Sequence, residues 1–254
     1  MKSGFTLIWS FRNRLEILKR SITTADKTTP KEVNFCLIDA ASDEETIREL
    51  RIFCNSIQDR KIRICESAQR SSLSEAWNQG IMLSDTENVI FVSSDVEFLR
   101  EEWFFALRDA MNVGLQYCLL QNHAVFSISK KILPIMGWFD EGFQIGAHFD
   151  SDFMLRSTEH NIKFGIIPNT DESFYKHGHD DIKIEKERNT KEFQDRLPTN
   201  NKFNEQYFIK KWGCEKIWNG WSEWQHPPVS IHQSGVKRQF PEIDPHPQWT
   251  KKFL

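Results

Sequence analysis

The chain contains no run of apolar residues approaching the roughly 18 to 20 that a membrane-crossing helix requires. Its first residues hold no long hydrophobic segment either. The expectation is a chain with neither span nor leader, with contact at a membrane surface left open. Positive charge is not in excess. There are 33 Lys and Arg against 36 Asp and Glu, a formal net charge of -3. Without a broad basic field, general nucleic-acid binding is not expected. The five cysteines, at 36, 54, 65, 118 and 214, show no C-x-x-C spacing. An odd, scattered set predicts reduced thiols in a cytosol-like compartment, hence a cytoplasmic protein. Glycine is scarce at 11 residues, and neither G-x-G-x-x-G nor G-x-x-x-x-G-K-[ST] occurs. That excludes the glycine cradles of dinucleotide enzymes and P-loop proteins. A nucleotide would have to be held by a metal and by side chains. Internal repeats and low-complexity segments are also missing.

The chain is rich in core-forming residues. At 254 residues, with 20 Phe and 9 Trp, it can bury one large domain with an extension. The most informative stretch is Asn88–Phe98. Val89-Ile-Phe-Val92 is a short apolar run rich in β-branched residues, which predicts a strand buried on both faces. The stretch then turns polar and ends in Asp95 and Glu97, one residue apart. A parallel strand delivers its carboxyl end to the crevice where open α/β sheets bind ligands. Two acids there suit a Mg²⁺ or Mn²⁺ ion bridging a diphosphate. Taken alone, the same acids also fit a solvated loop.

Around it, strands alternate with helical patterns. Phe5–Ser10, Val33–Asp39, Lys61–Cys65, Gln116–Leu120, Ala124–Ser129 and Lys163–Pro168 read as strands. Leu15, Leu18 and Ile22 share one helical face, as do Ile47, Leu50 and Ile57. Trp103, Phe104, Leu107 and Met111 make a third such face. Ser42-x-x-Glu45 and Ser72-x-x-Glu75 have the form of capping boxes. The alternation predicts βαβ units and a mainly parallel sheet flanked by helices. In the second half, Gly137–Phe143 reads as a loop. Phe149–Arg156 reads as a helix start with acids in its first turn, where the helix dipole favours them. Residues 183–202 are charged and read as an exposed helix or loop. The tail carries Trp212, Trp218, Trp221, Trp224 and Trp249 among five prolines from Pro227 to Pro247. It predicts an irregular extension anchored on the domain by tryptophans.

The order of these parts resembles the GT-A glycosyltransferases, and within them family 2 and its capsule- and lipopolysaccharide-type relatives. Ser10-Phe-Arg-Asn-Arg14 is similar to an opening "S-x-x-N-R", and Leu37–Asp43 to a second-strand "V-D-x-x-S-x-D". Ser74–Ile81 is similar to "A-x-N-x-G-I", Ser94-Asp-Val-Glu97 stands at the D-x-D, and Gly137–Glu141 matches "G-x-F-D-E". Phe149-Asp-Ser-Asp152 stands at "E-D-x-D" with Phe in place of Glu, and Tyr207–Gly213 resembles a Tyr…Lys-Trp-Gly element. The resemblance covers residues 5 to about 215.

It implies a GT-A (Rossmann-like) fold of class α/β, with a catalytic domain over 1–205 and an extension over 206–254. The nucleotide-sugar half would be about 1–100 and the acceptor half 101–205. It implies an inverting hexosyl- or deoxyhexosyltransferase of polysaccharide biosynthesis. Its partners would be a UDP-, GDP- or dTDP-sugar donor, a glycan acceptor and Mn²⁺ or Mg²⁺. Asp95 and Glu97 would hold the metal, with His177 and His179 completing its shell. Asp39, Arg12, Arg70, Asn78, Ser94 and Asp95 would line the donor site. Asp150 would be the base that deprotonates the acceptor hydroxyl, with Asp152 the alternative. Two other readings fit parts of the sequence. One is a sugar-phosphate nucleotidyltransferase, which the missing glycine loop disfavours. The other is a non-catalytic carbohydrate-binding protein, suggested by the Trp-rich tail.

Overall fold

A computed structural model of the chain describes residues 2–169, 173–178 and 191–213. His179, residues 183–190 of the charged stretch, and the tail beyond residue 213 lie outside the described residues. The strands are β1 (Lys2–Phe11), β2 (Asn34–Asp39), β3 (Ile62–Cys65), β4 (Thr86–Ser93), β5 (Val96–Phe98), β6 (Tyr117–Leu120), β7 (Asn122–Ser129), β8 (Phe164–Ile167) and β9 (Tyr175–His177). The helices are α1 (Leu15–Thr28), α2 (Glu44–Ser56), α3 (Leu73–Leu83), α4 (Glu102–Asn112), α5 (Leu133–Met136), α6 (Phe149–Glu159) and α7 (Lys191–Trp212).

Seven strands form one sheet in the order β3-β2-β1-β4-β7-β6-β8, and β5 pairs with β9 beside it. Only β7 runs against the rest: it is antiparallel to both β4 and β6, and the remaining pairs are parallel. The sheet is mainly parallel, as the alternation of elements predicts. Successive side chains point to opposite faces, and the core divides accordingly. Leu7, Trp9, Phe35, Leu37, Ile90 and Val92 pack on one side with Leu18, Leu50 and Trp103 of α1, α2 and α4. Ile8, Cys36, Ile38, Val89 and Phe91 pack on the other with Trp77, Phe153 and Phe208 of α3, α6 and α7. Trp77 is the hub of that second face, touching the rings of Phe91, Phe126, Phe139 and Phe149. At Gly80 the backbone of α3 comes so near the sheet that a Cβ would sit 2.4 Å from Ile8 Cγ2. Only a residue without a side chain permits that approach.

Three local details differ from or sharpen the sequence reading. The box at Ser72 forms in full, with Glu75 N donating to Ser72 Oγ at 3.2 Å and Ser72 N to Glu75 Oε2 at 2.6 Å. The box at Ser42 does not form. Asp43 caps α2 instead, accepting from Thr46 N at 2.7 Å, while Ser42 Oγ accepts from Asn13 N. Two candidate cap residues, Ser42 and Asp43, stand side by side there, and Asn13 engages the first. Finally, α7 runs through the boundary placed at residues 205 and 206. Phe208 and Trp212 belong to the main core.

Buried Arg60 closes the end of α1. Its guanidinium donates to Asp26 Oδ1 at 2.6 Å and to the carbonyls of Thr29, Pro30 and Val33, and it stacks on Phe35. A cation suits the negative end of a helix, and the planar fork satisfies several carbonyls at once.

Candidate active site

The pairing register brings the functional residues together. Phe11 lies opposite Asp39, and Ser10 opposite Ser93, so β1, β2 and β4 end side by side. The chain reverses its direction of travel across the sheet between β1 and β4, and ligands bind at such switch points. Arg12, Asn13 and Arg14 follow β1. Asn13 and Arg14 both adopt left-handed backbone, which turns the chain sharply into α1. This turn is tied to the β2–α2 turn by Asn13 Oδ1, which accepts from Asp43 N at 3.1 Å, and by Arg12 Nε, which donates to Ala41 O at 3.3 Å. Asp39 is 2% exposed, and its Oδ1 accepts from Ser42 N at 2.9 Å. Arg70 is half-buried in the segment leading to α3.

Asp95 follows buried Ser94 just past β4 and is 6% exposed. Antiparallel pairing of β5 with β9 sets Val96 opposite His177, which brings His177 Nε2 to 3.1 Å from Asp95 Oδ1. Burial alone would raise the Asp95 carboxyl. Its contacts with His177 and the charge of Arg14 outweigh burial and hold it below the ordinary carboxylate range. A charged carboxylate and an imidazole side by side form a donor pair that a divalent cation can use. Glu97 is turned to α1, where it meets Arg20 at 3.2 Å. No cluster of three or more His, Cys, Asp or Glu side chains forms among the described residues. The observed pair is nevertheless adequate for an ion that a diphosphate coordinates as well, since Mg²⁺-type ions often take only one or two protein ligands.

The two acids of α6 have different surroundings. Asp150 is partly exposed, at 27% of its side chain. Its Oδ1 accepts from Ser151 N at 2.8 Å, and its Oδ2 lies 3.6 Å from His123 Nδ1. Asp152 is sealed in the core at 0% exposure. Its oxygens meet Arg156 Nε at 2.9 Å, Lys211 Nζ at 2.7 Å and Trp212 Nε1 at 3.0 Å. Lys211, 2% exposed, also reaches Asp140 Oδ2 at 2.5 Å. The sequence offers Asp152 as a second candidate base; the structure encloses its carboxylate between two cations and an indole.

Asn78 is fully buried, and its amide donates to Phe139 O and Glu141 Oε1, both at 2.9 Å, and accepts from Phe139 N at 3.1 Å. It brackets the 137–141 loop. The next segment, 142–148, is stapled by asparagines of α7. Asn204 Oδ1 accepts from Gln144 N at 2.8 Å, and its Nδ2 donates to the carbonyls of Gln144 and Ala147 at 3.0 Å. Asn201 Oδ1 accepts from Ala147 N, and Asn200 donates to Ile145 O. The loop ends at His148, which enters α6 with φ of 81°. Burial lowers its pKa, against the opposing charges of Asp150 and Glu205.

Sequence reading missed His123. It lies at the bend between β6 and β7, where the strands double back at the same edge as the ends of β1, β2 and β4. Beyond the pair Val92–Val125, two further steps reach Ser94 on one strand and His123 on the other. A polar Asn122-His123 between two apolar strand runs was the available signal. The bend is held by Tyr175, whose hydroxyl contacts Leu120 O at 3.0 Å and Asn122 Oδ1 at 3.1 Å. It is held also by Asn169, whose N donates to Gln121 Oε1 at 2.7 Å.

The sequence model of the family described as Glycosyl transferase family 2 matches residues 6–166. No curated protein matches the chain by sequence. Among solved structures, a mannosyltransferase, PcManGT of Pyrobaculum calidifontis, in complex with GDP-Man and Mn²⁺, superposes with a TM-score of 0.56 at 14% identity. The match covers 66% of this chain and 56% of that one. TarS of S. aureus, residues 1–349, gives a TM-score of 0.54 at 15% identity, over 68% of this chain and 59% of the other. GalNAc-T7 with UDP, GalNAc and Mn²⁺ gives 0.58 at 13%, over 65% and 41%. The chain thus spans less than two thirds of each of these structures. At such identities the likeness establishes the fold, a mainly parallel GT-A sheet flanked by helices.

Proposed function

Since the chain belongs to glycosyl transferase family 2, we propose that it moves a sugar from a nucleotide-sugar donor to a hydroxyl of a glycan, with inversion at the anomeric carbon. The observation that carries this reading is the pairing of Asp95 with His177 at the end of β4, on the sheet edge where His123 meets Asp150. Solved relatives of the fold hold GDP-Man or UDP with Mn²⁺, which supports a nucleoside diphosphate and a divalent ion here.

Asp95 and His177 would hold the ion, and Glu97 would join only by giving up Arg20. When bound, the ion neutralises the charge that builds on the departing diphosphate. Arg12, Arg14 and Arg70 border the same region and add positive charge where the leaving group becomes more negative. Asp39, at the end of β2, would contact the nucleoside. Asp150 takes the proton of the acceptor hydroxyl as its oxygen attacks C1 and the bond from C1 to the phosphate oxygen breaks. The nucleoside diphosphate leaves, and attack from the opposite face inverts C1. The product belongs to a surface or capsular polysaccharide, made on the cytoplasmic side of a membrane.

The test is a melting screen with UDP-GlcNAc, GDP-Man and a dTDP-sugar, each with Mn²⁺ or with EDTA. A ligand that binds only the folded state raises the midpoint by mass action. The expected result is a rise with one donor in Mn²⁺ that EDTA removes. Absence of any rise, or an equal rise in EDTA, counts against the proposal. Asp150→Asn separates the enzyme from a non-catalytic sugar-binding protein: it should keep the melting shift and lose donor turnover.

A further inference from the structure

We propose that His123 is a positioning residue for Asp150, set in one tautomer by a hydroxyl buried in the core; this rests on the reading of Asp150 as the base. Three residues form a line from core to cleft. Tyr117, fully buried on β6, makes a hydrogen bond through its hydroxyl to His123 Nε2. The other ring nitrogen, Nδ1, lies 3.6 Å from Asp150 Oδ2. The His123 ring also packs edge-on against Phe126, with centroids 5.1 Å apart, which fixes its plane.

The chemistry of each group determines where the protons sit. Burial pushes the Tyr117 phenol well above its ordinary range, so it stays protonated and can donate. Burial pushes the His123 imidazole down, so it is neutral and carries one N–H. A neutral ring that accepts from this hydroxyl at Nε2 holds its proton on Nδ1, the nitrogen 3.6 Å from the carboxylate. This assignment follows from the hydrogen-bond network. Other charged or titratable groups near Asp150 are His148 just before it in the chain, Glu205 on α7, and Arg156 on its own helix. Asp150 acts on His148 alongside Glu205, and Arg156 acts on Tyr117 alongside Asp150. Arg156 is already committed to Asp152 and to Met136 O. His123 is thus the group whose N–H is aimed at the Asp150 oxygen from outside the helix.

A donor of this kind holds Oδ2, leaving the carboxylate with one preferred orientation toward the hydroxyl it must deprotonate. A separation of 3.6 Å exceeds a hydrogen bond, but contacts of catalytic groups often shorten only when substrate is bound. The arrangement differs from a nucleophile–histidine–acid triad, because the carboxylate is the terminal base and the tyrosine is the anchor.

The experiment follows release of nucleoside diphosphate from UDP-GlcNAc and from GDP-Man in Mn²⁺, with water as the acceptor, across pH. His123→Phe should lower kcat on the order of tenfold to a hundredfold, part of the 10² to 10⁴ that a general base contributes, with the donor KM unchanged. His123→Asn, whose amide nitrogen sits where Nδ1 does, should restore most of the rate. His123→Gln, whose nitrogen sits at the Nε2 position, should not. Asp150→Asn run in parallel keeps the two ideas apart. If Asp150→Asn is inactive while His123→Phe matches the parent in kcat, the positioning role is overturned and the base stands. If Asp150→Asn turns over normally, the base falls and the role of His123 with it. Nitrogen NMR of the unmutated protein gives a readout independent of turnover and of variant folding. The Nδ1–H tautomer of His123 is expected, and the Nε2–H tautomer overturns the proposal.

Discussion

The sharpest separation of chemistry from architecture is Asp152→Asn. Asp152 and Asp140 carry two negative charges, and Arg156 and Lys211 two positive ones, so the group is balanced as it stands. Replacing the carboxylate by an amide leaves one net positive charge in the core. It also turns one accepting oxygen into an NH₂ that faces a donor. Breaking a buried ion pair from one side costs about 3 to 5 kcal/mol, a large share of the roughly 5 to 15 kcal/mol that holds a protein folded. At roughly 2 to 4 °C per kcal/mol for a chain of this size, the midpoint should drop by about 6 to 20 °C. Asp150→Asn, at a partly exposed site, should shift it by no more than about 2 °C, from the small cost of surface changes. The assay is thermal melting of the parent and both variants at several pH values. Burial would raise the Asp152 carboxyl, but Lys211 and Arg156 more than offset this and its pKa in the fold lies below the ordinary value. A depressed pKa contributes stability above the unfolded value, about pH 4, and that contribution is lost as pH falls through the folded value. The gap between parent and Asp152→Asn should therefore be full at neutral pH and narrow below about pH 4. An Asp152→Asn protein that melts with the parent yet has lost turnover would refute this reasoning and make Asp152 the base.

Asp95→Asn should weaken Mn²⁺-dependent donor binding by about tenfold to a hundredfold, scaled from what loss of a metal site's supporting contacts does. Titration of the melting midpoint against Mn²⁺ with GDP-Man and UDP-GlcNAc checks it. Gly80→Ala should destabilise the fold by about 1 to 3 kcal/mol despite the better helix propensity of alanine, because its methyl meets Ile8; denaturant midpoints measure this. Arg60→Met should cost about 3 kcal/mol by leaving carbonyls at the end of α1 without donors. Donor affinity should be untouched in the material that remains folded, as titration calorimetry would show.

Much of this architecture could be read from periodicity. The apolar run Val89–Val92, the helical stripe of Trp103, Leu107 and Met111, and the Ser72 box each appear where the pattern puts them, because local rules govern them. The functional residues were less legible. Asp150 and Asp152 look alike as first-turn acids, but two steps along a helix turn a side chain by about 200°, from 3.6 residues per turn. The two must therefore face opposite ways, and the sequence holds that clue. Which of them meets solvent is decided by Lys211 and Trp212, some sixty positions later, and no local pattern encodes that. Asn78 sits in a motif similar to a family element, yet its work is a bracket to Phe139, across 61 positions. His123 escaped notice because its partners come from β6 and α6, joined only by the fold. His177 was legible as a candidate, but its approach to Asp95 depends on β5 pairing with β9.

The asparagine staples from α7 also determine the order of events during synthesis. A ribosome that has released everything up to Glu159 has produced the sheet strands through β7 and Asp95, together with the residue meant to act as base. The loop ahead of that residue still lacks its clamps, and Asp152, paired with Arg156, still waits in the nascent core for Lys211. Competence arrives only when the codon for Trp212 has been read and its helix has folded back. Products truncated before α7 would therefore remain inert even though Asp95 and Asp150 had already been translated.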